Sequence, residues 1–201
     1  AVLGMAGAAA LQAQVYSVNA VGYINVEAVA GFNLLANQLI ATDATVPTLM
    51  AGVPEGSIVF KYSEETSYEI NILDFGEWGI PTMTLNPGEG FWLQLPPGAP
   101  ATTITFVGEV PQGSLSTELD AGFNLVSSQV PQAGLVTTDL GLPAEDGDIV
   151  FTYSESADPK YGIATYDFGA WDPAEPMVGV GEGFWVQKIS AATWDRDFSV
   201  N

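Results

Sequence analysis

Nearly all the side chains able to do chemistry in this 201-residue chain are carboxylates. Twenty-four Asp and Glu stand against four Lys and Arg, with no His and no Cys, for a formal net charge of −20. Lacking imidazole and thiol, the chain has no Ser-His-Asp triad, no Cys nucleophile, no His/Cys zinc site and no usual haem or iron–sulfur ligation. What remains is hard-cation binding or a glycosidase-type carboxylate pair. Asp74 with Asp167, and Glu89 with Glu182, are the acids that could form such a pair. Each lies in a turn or at a strand end and recurs once per copy of an internal repeat, which points to structural service in each copy. Glu89 and Glu182 each sit between two glycines, where a carboxylate accepts backbone N–H bonds within a turn. No residue is therefore assigned to catalysis, and the chain does not read as an enzyme. A loop at 144–148 gathers Glu145, Asp146 and Asp148, and Glu55 is the counterpart of Asp146. Ca²⁺ is the one cofactor these oxygens would suit, although the spacing matches no EF-hand loop and Ca²⁺ takes six or more oxygens.

The same arithmetic excludes partners. A polyanion repels nucleic-acid phosphates and anionic membrane surfaces. Hydrophobic residues make up 47% and aromatics 11%, so a real core is expected without disulfides. Charged residues are only 14%, which leaves Ser, Thr, Asn, Gln and Gly to supply most of the polar surface.

The elements that must position these groups come in two copies. Ala30-Gly31-Phe32-Asn33-Leu34 recurs at 121–125 and Ile58-Val59-Phe60-Lys61-Tyr62-Ser63-Glu64 at 149–155, both offset by 91. Asp74-Phe75-Gly76-Glu77-Trp78 recurs at 167–171 and Gly88-Glu89-Gly90-Phe91-Trp92-Leu93-Gln94 at 181–187, both offset by 93. Over these blocks 21 of 24 positions are identical, which makes two tandem copies of one fold, with a two-residue insertion expected at 156–160. The divisions expected are an apolar segment at 1–14, a first β domain at 15–112 and a second at 113–201. The first 112 residues carry a net charge of −9 and the rest −11.

Each copy reads as β structure. Short runs rich in Val, Ile, Thr and aromatics (57–62, 90–95, 102–107) are punctuated by Gly, Pro and Asp turn signals. Thirteen Pro and 22 Gly leave little room for helix, residues 41–50 and the N-terminal stretch being the exceptions. The fold class expected is all-β, two tandem small sandwich-like domains behind an extended apolar N-terminal segment. Along 91–94 strand alternation puts Phe91 and Leu93 on one face, Trp92 and Gln94 on the other. Phe184, Val186, Trp185 and Gln187 repeat that split. If the first pair lines the core, each copy presents an outward Trp beside an amide.

A Gly-Phe-Asn-Leu opening, an Asp-Phe-Gly-x-Trp strand and a Gly-x-Gly-Phe-Trp closing strand resemble the secreted β-sandwich repeats of bacterial and archaeal surface proteins. Those repeats open on Gly-Trp-Asn-Leu-Ile-Ser and close on Pro-Gly-Lys-Gly-Tyr-Trp. Here Phe32 and Phe123 replace the opening Trp, and Glu89 and Glu182 the closing Lys. The resemblance runs from about Gly22 to the C-terminus. It implies a β sandwich in a surface layer, appendage or modular extracellular protein, and brings no catalytic residue.

Export is expected on a second ground. Residues 1–11 are small and apolar, like the end of a secretory signal segment, and too short to span a bilayer. No charge precedes Glu27. Residues 104–119 leave the first copy and enter the second; if that connection serves both, the first copy has an opening strand at 15–29 with no domain ahead of it. One end would then offer a donor strand and the other an unfilled sheet edge, a head-to-tail contact that generates an open filament. Val15, Tyr16, Val18, Val21, Tyr23 and Ile24 are the interface residues in that reading, and the partner is a second copy of the chain. The alternative, that 15–29 is simply the first strand of its own domain, stays open. The competing function is an extracellular glycan-binding module using Trp78, Trp92, Trp171 and Trp185 as stacking surfaces. In that case too packing is the alternative use, since Trp is mostly buried in small sandwiches.

Overall fold

A computed structural model describes residues 20–63 and 67–200. The first half contains β1 (Val21–Ala28), β2 (Gly31–Leu35), α1 (Val46–Leu49), β3 (Ile58–Ser63), β4 (Ser67–Asp74), β5 (Glu77–Trp78), β6 (Phe91–Leu95) and β7 (Thr102–Glu109). The second contains β8 (Gly113–Leu119), β9 (Gly122–Val126), β10 (Gly134–Leu135), β11 (Ile149–Tyr153), β12 (Tyr161–Asp167), β13 (Ala170–Asp172), β14 (Met177–Val178), β15 (Phe184–Lys188) and β16 (Ala192–Phe198). The fold is all-β and sandwich-like. Of residues 41–50 only the single turn α1 is helical, with Pro47 in its first turn.

Both halves have the same antiparallel plan. A five-stranded sheet, β2-β6-β3-β4-β5 or β9-β15-β11-β12-β13, is faced by a two-stranded sheet, β1-β7 or β8-β16. Alternation builds the core between them. Ile24 and Ala28 of β1, with Ile104 and Phe106 of β7, pack on Phe91, Leu93 and Leu95 of β6. In the second half Leu119 and Trp194 pack on Phe184 and Val186. Phe91, Leu93, Phe184 and Val186 are wholly buried, as the period-2 reading of those strands requires.

The Gly-Phe-Asn-Leu blocks secure the corner between the two sheets. Gly31 (φ 95°) and Gly122 (φ 101°) occupy the left-handed region that favours glycine. The Asn33 side chain then closes the bend, accepting from the Val29 N–H and donating to the Val29 carbonyl, both at 2.8 Å. Asn124 does the same with Asp120, also at 2.8 Å.

The connection between the halves serves each separately. β7 pairs with β1 along Thr102–Glu109, and β8 pairs with β16 along Gly113–Leu119. This corrects the premise that residues 104–119 contribute one strand to both neighbours. Val21, Tyr23 and Ile24 lie in β1, opposite Glu109, Val107 and Phe106 of the same half. Val15, Tyr16 and Val18 fall outside the described residues.

Candidate functional site

The outer face of each five-stranded sheet is aromatic. Register sets Phe60 beside Trp92 and, in the second half, Phe151 beside Trp185. On the neighbouring strands Tyr62 lies opposite Tyr68, and Tyr153 opposite Tyr161. The outward Trp expected from alternation is therefore present in each half, but it does not face open solvent. The two aromatic faces turn toward each other, and Trp92 is only 6% exposed. A small apolar cluster of Leu34, Trp92 and Leu125, flanked by Phe60, Tyr62, Tyr153 and Trp185, joins the halves.

The junction is isologous, each half giving the other the same contacts. Trp92 meets Tyr153 at 4.7 Å between ring centroids, and Trp185 meets Tyr62 at 4.8 Å, both edge-to-face. The Gly90 N–H donates to the Leu125 carbonyl at 3.1 Å, and the Gly183 N–H to the Leu34 carbonyl at 3.3 Å. Here the closing glycines find their reason. A Cβ on Gly90 would stand 2.8 Å from the Val126 carbonyl oxygen, and one on Gly183 would stand 2.8 Å from that of Leu35 and 3.2 Å from Gly90 Cα. The pseudo-dyad thus runs between two glycines whose backbones approach too closely for any side chain.

Beside this contact the faces splay into a cleft of about 440 Å³. The first half lines it with Phe32, Phe60, Tyr68, Ile70 and Trp92, and the second with Tyr153, Lys160, Tyr161 and Trp185. Neighbouring rings stand steeply to one another: Phe32 to Trp92 at 86°, Tyr68 to Trp185 at 82°, Tyr153 to Tyr161 at 64°. A smaller counterpart of about 300 Å³, lined by Tyr62, Phe123, Phe151, Tyr161 and Trp185, lies across the dyad. Large apolar side chains remain open at the mouths: Phe32 is 40% exposed, Tyr161 46% and Ile70 48%.

One polar cluster edges the larger cleft. Glu155 accepts from the Tyr153 hydroxyl and the Lys160 ammonium, and lies against Gly31 of the other half. The Lys160 and Tyr153 hydrogen bonds hold its carboxyl below the usual range. Burial, then the Glu155 hydrogen bond and charge, push the Tyr153 phenol well above its ordinary value, and burial raises Tyr68 too, so both stay neutral. The offset between the copies changes from 91 at Tyr62/Tyr153 to 93 at Tyr68/Tyr161. The two extra residues thus fall in the 154–160 connection, which brings Lys160 to the cleft.

The other expected site residues are dispersed. Trp78 is 9% exposed and packs in the first core. Trp171 packs on the second core and donates its indole N–H to Thr137 Oγ1 at 3.0 Å. The three loop acids diverge, each already an acceptor. Glu145 takes the Ser190 N–H at 2.9 Å, Asp146 the Gly169 N–H at 3.2 Å, and Asp148 the Ile189 N–H at 2.8 Å together with the buried Lys188 ammonium. Among the described residues no group of three or more acids could hold a metal ion. Glu89 and Glu182 bind their own turns, accepting from the Asn86 N–H at 2.8 Å and the Gly179 N–H at 2.7 Å.

Most of the lining, Phe32, Phe60, Tyr68, Ile70, Tyr153, Lys160 and Tyr161, lies outside the site residues expected from the sequence. The signal was available in the Ile-Val-Phe-x-Tyr blocks, where a buried Val59 implies that Phe60 and Tyr62 lie off the core. No helix among the described residues is long and apolar enough to cross a membrane. Compared with known proteins, the chain matches no family model, no curated protein and no solved structure.

Proposed function

We propose that the protein is an exported, non-enzymatic binding module whose ligand occupies the aromatic cleft between its two halves. The observation that carries this reading is the convergence of seven rings from both halves on one open cavity, with several of them left substantially exposed. A contiguous apolar concavity with a few polar groups is the usual form of a ligand site. Of the four acids that could form a catalytic pair, Glu89 and Glu182 are occupied in turn bonds, which favours binding over chemistry. Export rests on the apolar N-terminal segment and on the resemblance to surface repeats.

Tryptophan fluorescence tests the reading directly, because Trp92 and Trp185 line the cleft while Trp78 and Trp194 are buried elsewhere. A titration against neutral oligosaccharides, organic cations and small amphiphiles should give a saturable shift with one class. The shift should be lost in Tyr161→Ala, whose melting temperature should stay close to that of the parent. No saturable response to any class would overturn the proposal.

A second reading, a filament joined end to end through the N-terminal segment, has one observation in its favour. Among the described residues β1 is paired on one side only, and Val21 (61% exposed) and Tyr23 (72%) face outward along it. Edges of that kind accept a further strand. Deleting residues 1–19 leaves β1 intact and should abolish sedimentable assemblies; assemblies that persist would sink this reading.

A further inference from the structure

We infer that the ligand recognised by the larger cleft is an organic cation, a quaternary or methylated ammonium group held among the rings of Tyr68, Trp92, Tyr153, Tyr161 and Trp185. The inference rests on that cleft being the binding site and names its ligand class.

Three observations converge on it. The first is charge complementarity. The molecule carries −20 and only four Lys and Arg, so its field concentrates cations and repels anions. The cations outside the cleft are already engaged: Lys61 with Glu89, Lys188 with Asp148, and Arg196 with Gln132 and the Leu140 carbonyl.

The second is the chemistry of the walls. Trp and Tyr rings attract a cation through the negative potential of their faces, and a cage of several rings is the recurrent receptor for methylated ammonium groups. Adjacent rings meet here at 64° to 82°, the corner geometry of a box rather than of a flat platform. Lys160, the cation at the rim, is paired with Glu155, so the pair leaves the cleft without a net positive charge. Among the described residues no other charged side chain lines the cavity.

The third is what the walls lack. Apart from Lys160, the side chains of the described lining residues offer only phenol hydroxyls and indole N–H groups as polar partners, and the Tyr153 hydroxyl is already committed to Glu155. Among the described residues the lining holds no Asn, Gln, Asp, Glu or Arg to meet the many hydroxyls of a sugar, and buried hydroxyls without partners are costly. A methylated ammonium asks for no hydrogen bonds and is served by ring faces alone.

The test compares choline with 3,3-dimethyl-1-butanol, its neutral carbon isostere, by calorimetry on the full chain. Choline should bind at least about tenfold more tightly than the isostere, the scale of a partly desolvated cation–π contact. Its affinity should fall as NaCl rises while that of the isostere does not. Tyr161→Leu, at the exposed rim, should weaken choline and leave the isostere nearly unchanged. Equal binding of the two compounds overturns the inference, because the cleft would then be selecting shape and apolarity. Binding of neutral oligosaccharides without choline also overturns it, yet leaves the binding-module reading standing. Binding of neither, with no other class active, removes both.

Discussion

At the scale of residues, the two halves differ most tellingly in one buried ion pair. Asp148 and Lys188, with side chains 1% and 2% exposed, occupy the positions that Ser57 and Leu95 fill in the first half. Lys188 also donates to the Pro143 carbonyl at 2.9 Å, and Asp148 accepts the Glu145 and Ile189 N–H groups, so the pair is well satisfied. Such a pair stabilises little relative to apolar packing, while removing one partner strands the other charge. Asp148→Ala is therefore expected to cost about 3–5 kcal/mol in urea unfolding. Asp148→Ser combined with Lys188→Leu, which copies the first half, should recover most of that loss. If the double variant is no more stable than the single one, the pair is doing more than closing the loop. A second ionic contact gives a pH dependence. Glu155 is held below its ordinary value of 4.5 by Lys160 and Tyr153. A folded value below the unfolded one means that its stabilisation is complete above the unfolded value and is lost as pH falls through the folded one. Glu155→Gln should flatten that part of the acid-unfolding curve; an unchanged curve would deny the contact any weight.

At the scale of elements, the duplicated hairpins β4–β5 and β12–β13 turn through Asp-Phe-Gly-x. Phe75 (φ 52°) and Gly76 (φ 79°) both take positive φ, as do Phe168 (φ 49°) and Gly169 (φ 78°). Two central residues in that region make a type I′ turn, which suits the strand twist but favours Asn-Gly over Phe-Gly. Both phenylalanines stand over 90% exposed, so packing does not offset the strain. The Gly76 and Gly169 N–H groups are met by Glu55 and Asp146 from a neighbouring loop, which braces each tip. Phe75→Asn should accordingly stabilise the fold by about 0.5–1 kcal/mol. A neutral or destabilising result, read from the urea midpoint, would mean that the exposed ring has a partner. The strands themselves were legible: the inward Phe91 and Leu93 followed from period-2 alternation, and the corner asparagines lay inside the most faithfully repeated blocks. The pairing of β1 with β7 was not, because 15–29 read equally well as a donor strand or as the first strand of its own half. Composition cannot tell a strand buried at home from one buried in a neighbour.

At the scale of the whole molecule, two sandwich-like halves of the same sign of charge, −9 and −11, are held face to face. No opposite charge draws them together, so apolar burial and the backbone bonds at Gly90 and Gly183 must outweigh repulsion. Salt should then stabilise the chain. Raising ionic strength from about 0.01 M to 0.15 M shortens the screening length from about 30 Å to 8 Å. The melting temperature is expected to rise by at least ~2–4 °C, the equivalent of about 1 kcal/mol. A flat or falling dependence would mean that the charge is already dispersed or neutralised by bound cations. The sequence by itself determined the β class, the duplication, the inward and outward faces of the closing strands, the tight turns and the acidic surface. These depend on spacing over a few residues or on composition, which the chain carries locally. Only the tertiary structure decided what covers each outward face: Trp92 and Trp185 became walls shared between the halves, Trp78 and Trp171 became packing, and the three loop acids turned to separate partners. Alternation names the face a side chain takes, but the surface opposite it comes from the other half of the chain, as Tyr153 comes to Trp92 and Tyr62 to Trp185, and only their packing determines whether that face closes or leaves a cleft.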